Sequence, residues 1–183
     1  MQISKFYITN FEFIKMHTMK NSKFYINDLF NRIPALTGLK DEIIASASAI
    51  INCYTRGGKI LVCGNGGSAA QADHFVAELM KKFELHRPLD KSFAKRLTEI
   101  SPDRGKYLGE KLEHSLPAIS LSGHAALISA ISNDTDASLV FAQQVMGYGN
   151  EKDILIAIST SGNSQNIIDA IITAKALNLK VIG

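Results

Sequence analysis

His74 and Glu78 lie four residues apart, a little over one helical turn, so a helix would carry the imidazole and the carboxylate on one face. Such a pair can move a proton or ligate a metal, and it can equally be an exposed surface pair. Just upstream stands Asn65-Gly66-Gly67-Ser68. The glycines permit backbone angles and close ligand approach that a Cβ would forbid, and Ser68 is placed to cap a helix beginning at Ala69. Free N–H groups and the dipole at that helix start favour an anion such as phosphate. A second stretch, Ser159-Thr160-Ser161-Gly162-Asn163-Ser164, packs four hydroxyls into six positions without a lysine or arginine. A helix cap uses only one hydroxyl, so the excess points to neutral hydrogen bonding of a phosphate monoester. The expected arrangement is a phosphate site and an acid–base pair side by side.

The apolar pattern supplies the elements that must position these groups. Lys59–Cys63 is a short apolar run bounded by Gly57-Gly58 and Gly64, which suits a buried parallel strand. Ala69–Phe83 is the helix that bears His74 and Glu78. Further strands are predicted at Pro117–Leu121, Ile154–Ile158 and Leu179–Ile182. Helices are predicted at Phe24–Pro34, Leu39–Arg56, Ala125–Ile131 (ending near Ser132-Asn133-Asp134), Ala137–Met146 and Gln165–Leu177. In Leu39–Arg56, residues Ile43, Ile44, Ala47, Ile50, Ile51 and Tyr54 form a stripe that suits the sheet or another subunit. Leu89–His114 is charged and reads as two amphipathic helices around Ser101–Gly105, with Phe93, Leu97, Ile100, Tyr107, Leu108 and Leu112 as apolar contacts. It is expected to be a solvated insertion. Strands alternating with helices imply an α/β fold, a parallel sheet in three α/β/α layers with right-handed crossovers. Ligands of such folds bind at the carboxyl ends of the strands, where both loops fall.

Composition narrows the function classes. A chain of 183 residues with 46% hydrophobic content can bury one substantial core. The formal charge of +3 is spread along the chain, which argues against nucleic acid or an anionic membrane as partner. Apolar runs fall short of the roughly 20 residues a membrane span needs. Cys53 and Cys63 fall in a predicted helix and strand and read as reduced, buried thiols of a cytoplasmic protein. The N-terminal twenty residues are aromatic and amphipathic but make a poor signal peptide, and Met16 and Met19 are alternative starts. Gly64-x-Gly66-x-x-Ala69 fits a dinucleotide fingerprint. The acidic residue that NAD would need about 20 residues on falls instead near Glu84–Arg87, in a helix tail, so NAD is not expected. The hydroxyl loop is no Walker loop, since no Gly-Lys-Ser/Thr follows it.

CGNGGSAAQADHFVAEL and ISTSGNSQNII, separated by Ser132-Asn133-Asp134, resemble the sugar isomerase (SIS) domain family, and within it the phosphoheptose isomerases. The resemblance covers Leu39–Gly183 apart from the longer link at Leu89–His114, so residues 1–38 are an N-terminal extension with a first helix and 39–183 a SIS domain. It implies a flavodoxin-like sheet and isomerisation of sedoheptulose 7-phosphate to a manno-heptose 7-phosphate, a step toward lipopolysaccharide heptose. Ser159, Thr160, Ser161 and Ser164 would hold the phosphate, Asn65, Gly66, Gly67 and Ser68 would surround the sugar chain, and Asp134 would line the same site. Glu78 would be the acid–base residue, and His74 with Glu78 would ligate zinc in those members that bind it. The resemblance also implies a homotetramer, with sites lined by more than one chain. Gly183 precedes the further strand and the long C-terminal helix that give phosphoheptose isomerases a glutamine and a histidine, so a truncated form of the family domain is expected. The alternative is a non-catalytic SIS protein, a phosphosugar sensor or an adaptor for the replication initiator. Glu78 argues against it.

Overall fold

The computed structural model describes residues 24–183; the amphipathic stretch before them, with Met16 and Met19, lies outside the described residues. Four parallel strands, β1 (Ile60–Gly64), β2 (Ala118–Ser120), β3 (Ile154–Ile158) and β4 (Lys180–Ile182), form one sheet in the order β2-β1-β3-β4. The chain reverses its direction of travel across the sheet after β2. The carboxyl ends of β1 and β3 therefore flank the crevice where such folds bind ligands.

The period-2 geometry of a strand divides the core. Leu61 and Cys63 of β1 join Leu155 and Ala157 of β3 on one face, packed with Ile131, Val140, Phe141, Val145, Ile167, Ala170 and Ala174. Those residues come from α6 (Ala125–Asp134), α7 (Val140–Tyr148) and α8 (Gln165–Ala176). Ile60 and Val62 point to the other face and meet Tyr54, Ala72, Ile50, Val76 and Leu79, from α2 (Lys40–Thr55) and α3 (Gly67–Met80). Two helical layers thus sandwich the sheet, as the sequence predicts. Residues 24–32 form α1, followed by a 3₁₀ turn over Pro34–Leu39, so the predicted first helix stops short of Pro34. The stripe on α2 resolves in favour of the sheet for its C-terminal half, where Ala49, Cys53 and Tyr54 are buried. Ile44, nearer the start, stays 37% exposed.

Both cysteines are buried free thiols. Burial, reinforced by the Asp153 charge, pushes Cys53 up to about 11, and burial alone pushes Cys63 up to about 12. At neutral pH neither is a nucleophile. At the base of the sheet Asp153 accepts from the Lys59 N–H (2.8 Å), the Asn150 N–H (2.8 Å) and the Lys59 ammonium (2.5 Å), which pins the starts of β1 and β3 together.

Leu89–His114 does fold as two helices, α4 (Lys91–Ile100) and α5 (Pro102–Lys111). The predicted seam holds in part: Phe93, Leu97 and Leu108 are half-buried. A Cβ on Gly105 would collide with the Leu97 backbone, and one on Gly109 would press Ala94 at 3.3 Å, so glycines let the two helices approach backbone to side chain. Ile100, predicted as a contact, is 83% exposed, and Tyr107 and Leu112 are also exposed. The pair leaves and rejoins the body through an antiparallel bridge, Pro88 opposite Glu113.

Candidate active site

The helix of the first loop begins earlier than the sequence suggests. Gly66, at φ 53°, occupies the N-cap position, and α3 opens at Gly67 without a side-chain cap. Ser68 is accordingly no cap: it lies inside the first turn and is only 8% exposed. The Ser68, Ala69 and Ala70 N–H groups already donate to the Asn65 and Gly66 carbonyls, so Gly66 and Gly67, both exposed, carry the turn's remaining donors. Gly64 admits no side chain, because a Cβ there would stand 2.6 Å from the Ser68 carbonyl oxygen. That contact seats α3 directly on the end of β1.

The second loop is built from hydroxyls that face one another. Ser159 Oγ lies 3.3 Å from Ser164 Oγ and 3.5 Å from Ser161 Oγ, and it accepts from the Gly162 N–H at 3.1 Å. Ser161 Oγ accepts from the Asn163 N–H at 3.2 Å. Ser164 holds the N-cap position of α8, yet its hydroxyl makes no capping bond. It turns across the loop to Ser159 instead, so the hydroxyl excess is not spent on capping. Thr160, Ser161 and Gly162 are exposed. The cluster is open to solvent at the head of a helix, where an anion would replace hydroxyl–hydroxyl contacts with charge-assisted ones.

Three strand ends are laced together around this crevice. The Ser122 hydroxyl donates to the Gly64 carbonyl at 2.9 Å, and the Leu121 N–H donates to the Val62 carbonyl at 2.8 Å, joining the exit of β2 to β1. Asn65 and Asn166 exchange two side-chain hydrogen bonds, each 2.9 Å, joining the β1 turn to α8. Asp134 is the last residue of α6, which ends within the predicted Ser132-Asn133-Asp134 stretch. The 3₁₀ turn after it, Ala137–Leu139, packs on α8. Asp134 is exposed and accepts from the Asn133 side-chain amide at 2.9 Å. Asn166 and Ser122 were not legible as site residues, since each matters only through a partner distant in sequence.

His74 and Glu78 lie further along α3 than the glycine turn. Both are on α3, but Glu78 is eleven residues past Gly67, about 16 Å along the axis at 1.5 Å per residue. The next two carbonyls of the helix, those of Leu79 and Met80, accept from the Leu116 N–H (3.0 Å) and the Ser115 hydroxyl (2.6 Å), which immediately precede β2. The C-terminal end of α3 therefore lies toward the start of β2. Glu78 Oε1 accepts from Lys81 at 3.0 Å, while Oε2 is buried without a partner. His74 is exposed. Tetrahedral zinc takes three or four protein donors, and no group of three or more His, Cys, Asp or Glu side chains among the described residues could hold a metal. His74 and Glu78 alone do not make a zinc site.

The SIS-domain family profile matches residues 24–113 and 106–183, two segments that overlap across the end of α5. The phosphoheptose isomerase of Shewanella pealeana is 36% identical over 158 residues, 86% of this chain and 67% of that protein. Phosphoheptose isomerase 1 of Campylobacter jejuni is 39% identical over 145 residues, 79% of this chain and 64% of that protein. Among solved structures, a phosphoheptose isomerase from Francisella tularensis superposes with a TM-score of 0.64 at 35% identity, covering 90% of this chain and 73% of that one. The phosphoheptose isomerase from Neisseria gonorrhoeae gives 0.58 at 29% identity, covering 93% and 71%. The loops, the strand order and these matches agree, and the chain belongs to the SIS-domain family, in its phosphoheptose isomerase branch.

Proposed function

We propose that this protein is a phosphosugar isomerase that interconverts sedoheptulose 7-phosphate and D-glycero-D-manno-heptose 7-phosphate in the cytoplasm, supplying heptose for lipopolysaccharide or a related glycan. The observation that carries the reading is the solvent-open hydroxyl cluster Ser159, Ser161 and Ser164 at the start of α8, beside the glycine turn of β1. The cluster and Thr160 hold the phosphate. Asn65, Gly66, Gly67, Ser68 and Asp134 face the polyol chain. Isomerisation takes a proton from C1 of the ketose, passes through an enediol and returns a proton to C2, while the hydroxyl proton of O1 moves to O2. A carboxylate does the carbon chemistry, and Glu78 is the candidate.

The length of the sugar phosphate bears on how Glu78 reaches C1. Eight bonds separate phosphorus from C1, and an extended chain advancing roughly 1.2 Å per bond spans about 10 Å, which together with the reach of the glutamate side chain toward the helix N-terminus is comparable to the rise along α3. Homotetramer assembly is part of the same proposal. Exposed Phe24, Ile33, Leu39 and Ile44 on the N-terminal helices offer apolar surface for it. Zinc at His74 and Glu78 belongs to the proposal only where donors from outside the described residues complete its shell, so no chemical step is routed through it. Equilibrium dialysis against zinc, compared with His74→Ala, tests that point.

The decisive experiment is proton NMR of the chain with sedoheptulose 7-phosphate in D₂O. Deuterium entering C1 as aldose signals grow is the expected result; saturable binding without exchange would overturn catalysis by this chain. Glu78→Gln should lower turnover by about 10² to 10⁴ and leave phosphosugar affinity close to wild type.

A further inference from the structure

Asn65 and Asn166 stand 101 positions apart, one in the turn after β1 and the other in the first turn of α8. Asn65 Nδ2 donates to Asn166 Oδ1, and Asn166 Nδ2 donates to Asn65 Oδ1, both at 2.9 Å. A primary amide offers two N–H donors and two acceptor lone pairs. The reciprocal ring uses one of each, so each amide keeps one donor and one acceptor for another partner. Among side chains only asparagine and glutamine can close such a ring, because a carboxylate only accepts and an ammonium only donates.

Asn166 has no local task that would explain it. The N-cap position of α8 belongs to Ser164, and the neighbouring Gln165 bonds Asp169 at 2.8 Å along the helix. Asparagine is also a weaker helix former than alanine. Its side chain acts across the crevice instead. Asn65, for its part, fixes the glycine turn through its backbone carbonyl, which accepts from the Ser68 and Ala69 N–H groups. The amide ring therefore ties the backbone-built turn of β1 to the hydroxyl loop of β3.

We propose that Asn166 is a positioning residue of the sugar-phosphate site: it holds Asn65 in the orientation that presents its spare N–H and lone pair to the sugar chain, while the hydroxyl loop holds the phosphate. This rests on the functional reading above. A ligand that spans both loops depends on the ring; inorganic phosphate, held by the hydroxyl loop alone, does not. That difference separates positioning from a merely structural role, which would weaken both ligands together.

The test is calorimetric titration of sedoheptulose 7-phosphate and of inorganic phosphate into wild type, Asn65→Ala, Asn166→Ala and the double variant, with thermal melts to verify folding. Each single change should raise the Kd for the sugar phosphate about fivefold to tenfold, with the double variant no worse than Asn65→Ala. The Kd for inorganic phosphate should stay within about twofold. Wild-type affinity in Asn166→Ala, equal loss of both ligands, or a double variant equal to the product of the singles would each overturn the proposal. Wild type binding neither ligand would overturn the functional reading instead. The side-chain amide of Asn65 then decides the ring by NMR: Asn166→Ala should raise its mobility, and an unchanged heteronuclear NOE would overturn the pairing.

Discussion

The loop after β1 and the loop after β3 occupy the same edge of the sheet and each opens a helix, yet they are built from different chemistry. The first is a matter of backbone: Gly64 is closed against Ser68, Gly66 sits at φ 53°, and the remaining donors are peptide N–H groups. The second is a matter of side chains, with Ser159 at the hub of three hydroxyls. A backbone site keeps its shape whatever binds and is broken by adding a Cβ. A hydroxyl site can rotate its donors to suit the ligand and is broken by removing an oxygen.

Substitutions that add or remove one atom test this division. Gly64→Ala should have the largest effect, since the new Cβ meets helix backbone that cannot rotate aside; about 3 kcal/mol of stability should be lost in urea denaturation. A loss below 1 kcal/mol would mean that α3 shifts freely on β1. Ser159→Ala should leave stability nearly unchanged while weakening phosphosugar binding by about tenfold. Retained affinity would show the hydroxyl cluster to be a structural turn only. Gly66→Ala meets open space but must adopt a glycine-like backbone angle, so about 1 kcal/mol of stability should go, together with a smaller loss of affinity than Ser159→Ala produces.

The smallest effect lies far from both loops, at the neck of the α4–α5 pair. Desolvation works to raise the pKa of Glu113, but the 2.5 Å hydrogen bond to His86 and the charges of His86 and Lys82 outweigh it and hold the carboxylate below its ordinary range. A depressed carboxylate pKa stabilises the fold above the unfolded value of 4.5 and loses that contribution as pH falls through the folded value. Hydrogen exchange in residues 89–112 should accelerate on acidification below that value, and Glu113→Gln should remove the acid dependence. An unchanged profile in the variant would place the titrating group elsewhere.

Strands and helices were legible wherever apolar periodicity was long, as in Gln165–Leu177, whose predicted end lies within one residue of α8. The two loops were legible too, because glycines and hydroxyls at strand ends have a chemical meaning that does not depend on neighbours. Ser68 was misread because residue type alone cannot tell an N-cap from the first turn, and Gly66 supplies the break that moves the helix start by two residues. Ile100 was misread because helical spacing reports a face without saying what covers it. Here the glycines of α5 close the seam on Leu97 and Ala94 and leave Ile100 outside it. Asn166 could not be read at all, since its role depends on where Asn65, distant in sequence, lies in space.

The bridge between Pro88 and Glu113 also says something about how such a chain can change over generations. The chain leaves the sheet and returns to it within one antiparallel rung, and α4 and α5 pack chiefly on each other. An element attached in this way is modular: it can be lengthened, shortened or replaced without altering the register of any strand. Residues 89–112 are accordingly a natural graft point, where a reporter or a recognition peptide could be inserted while both loops at the opposite edge keep their geometry.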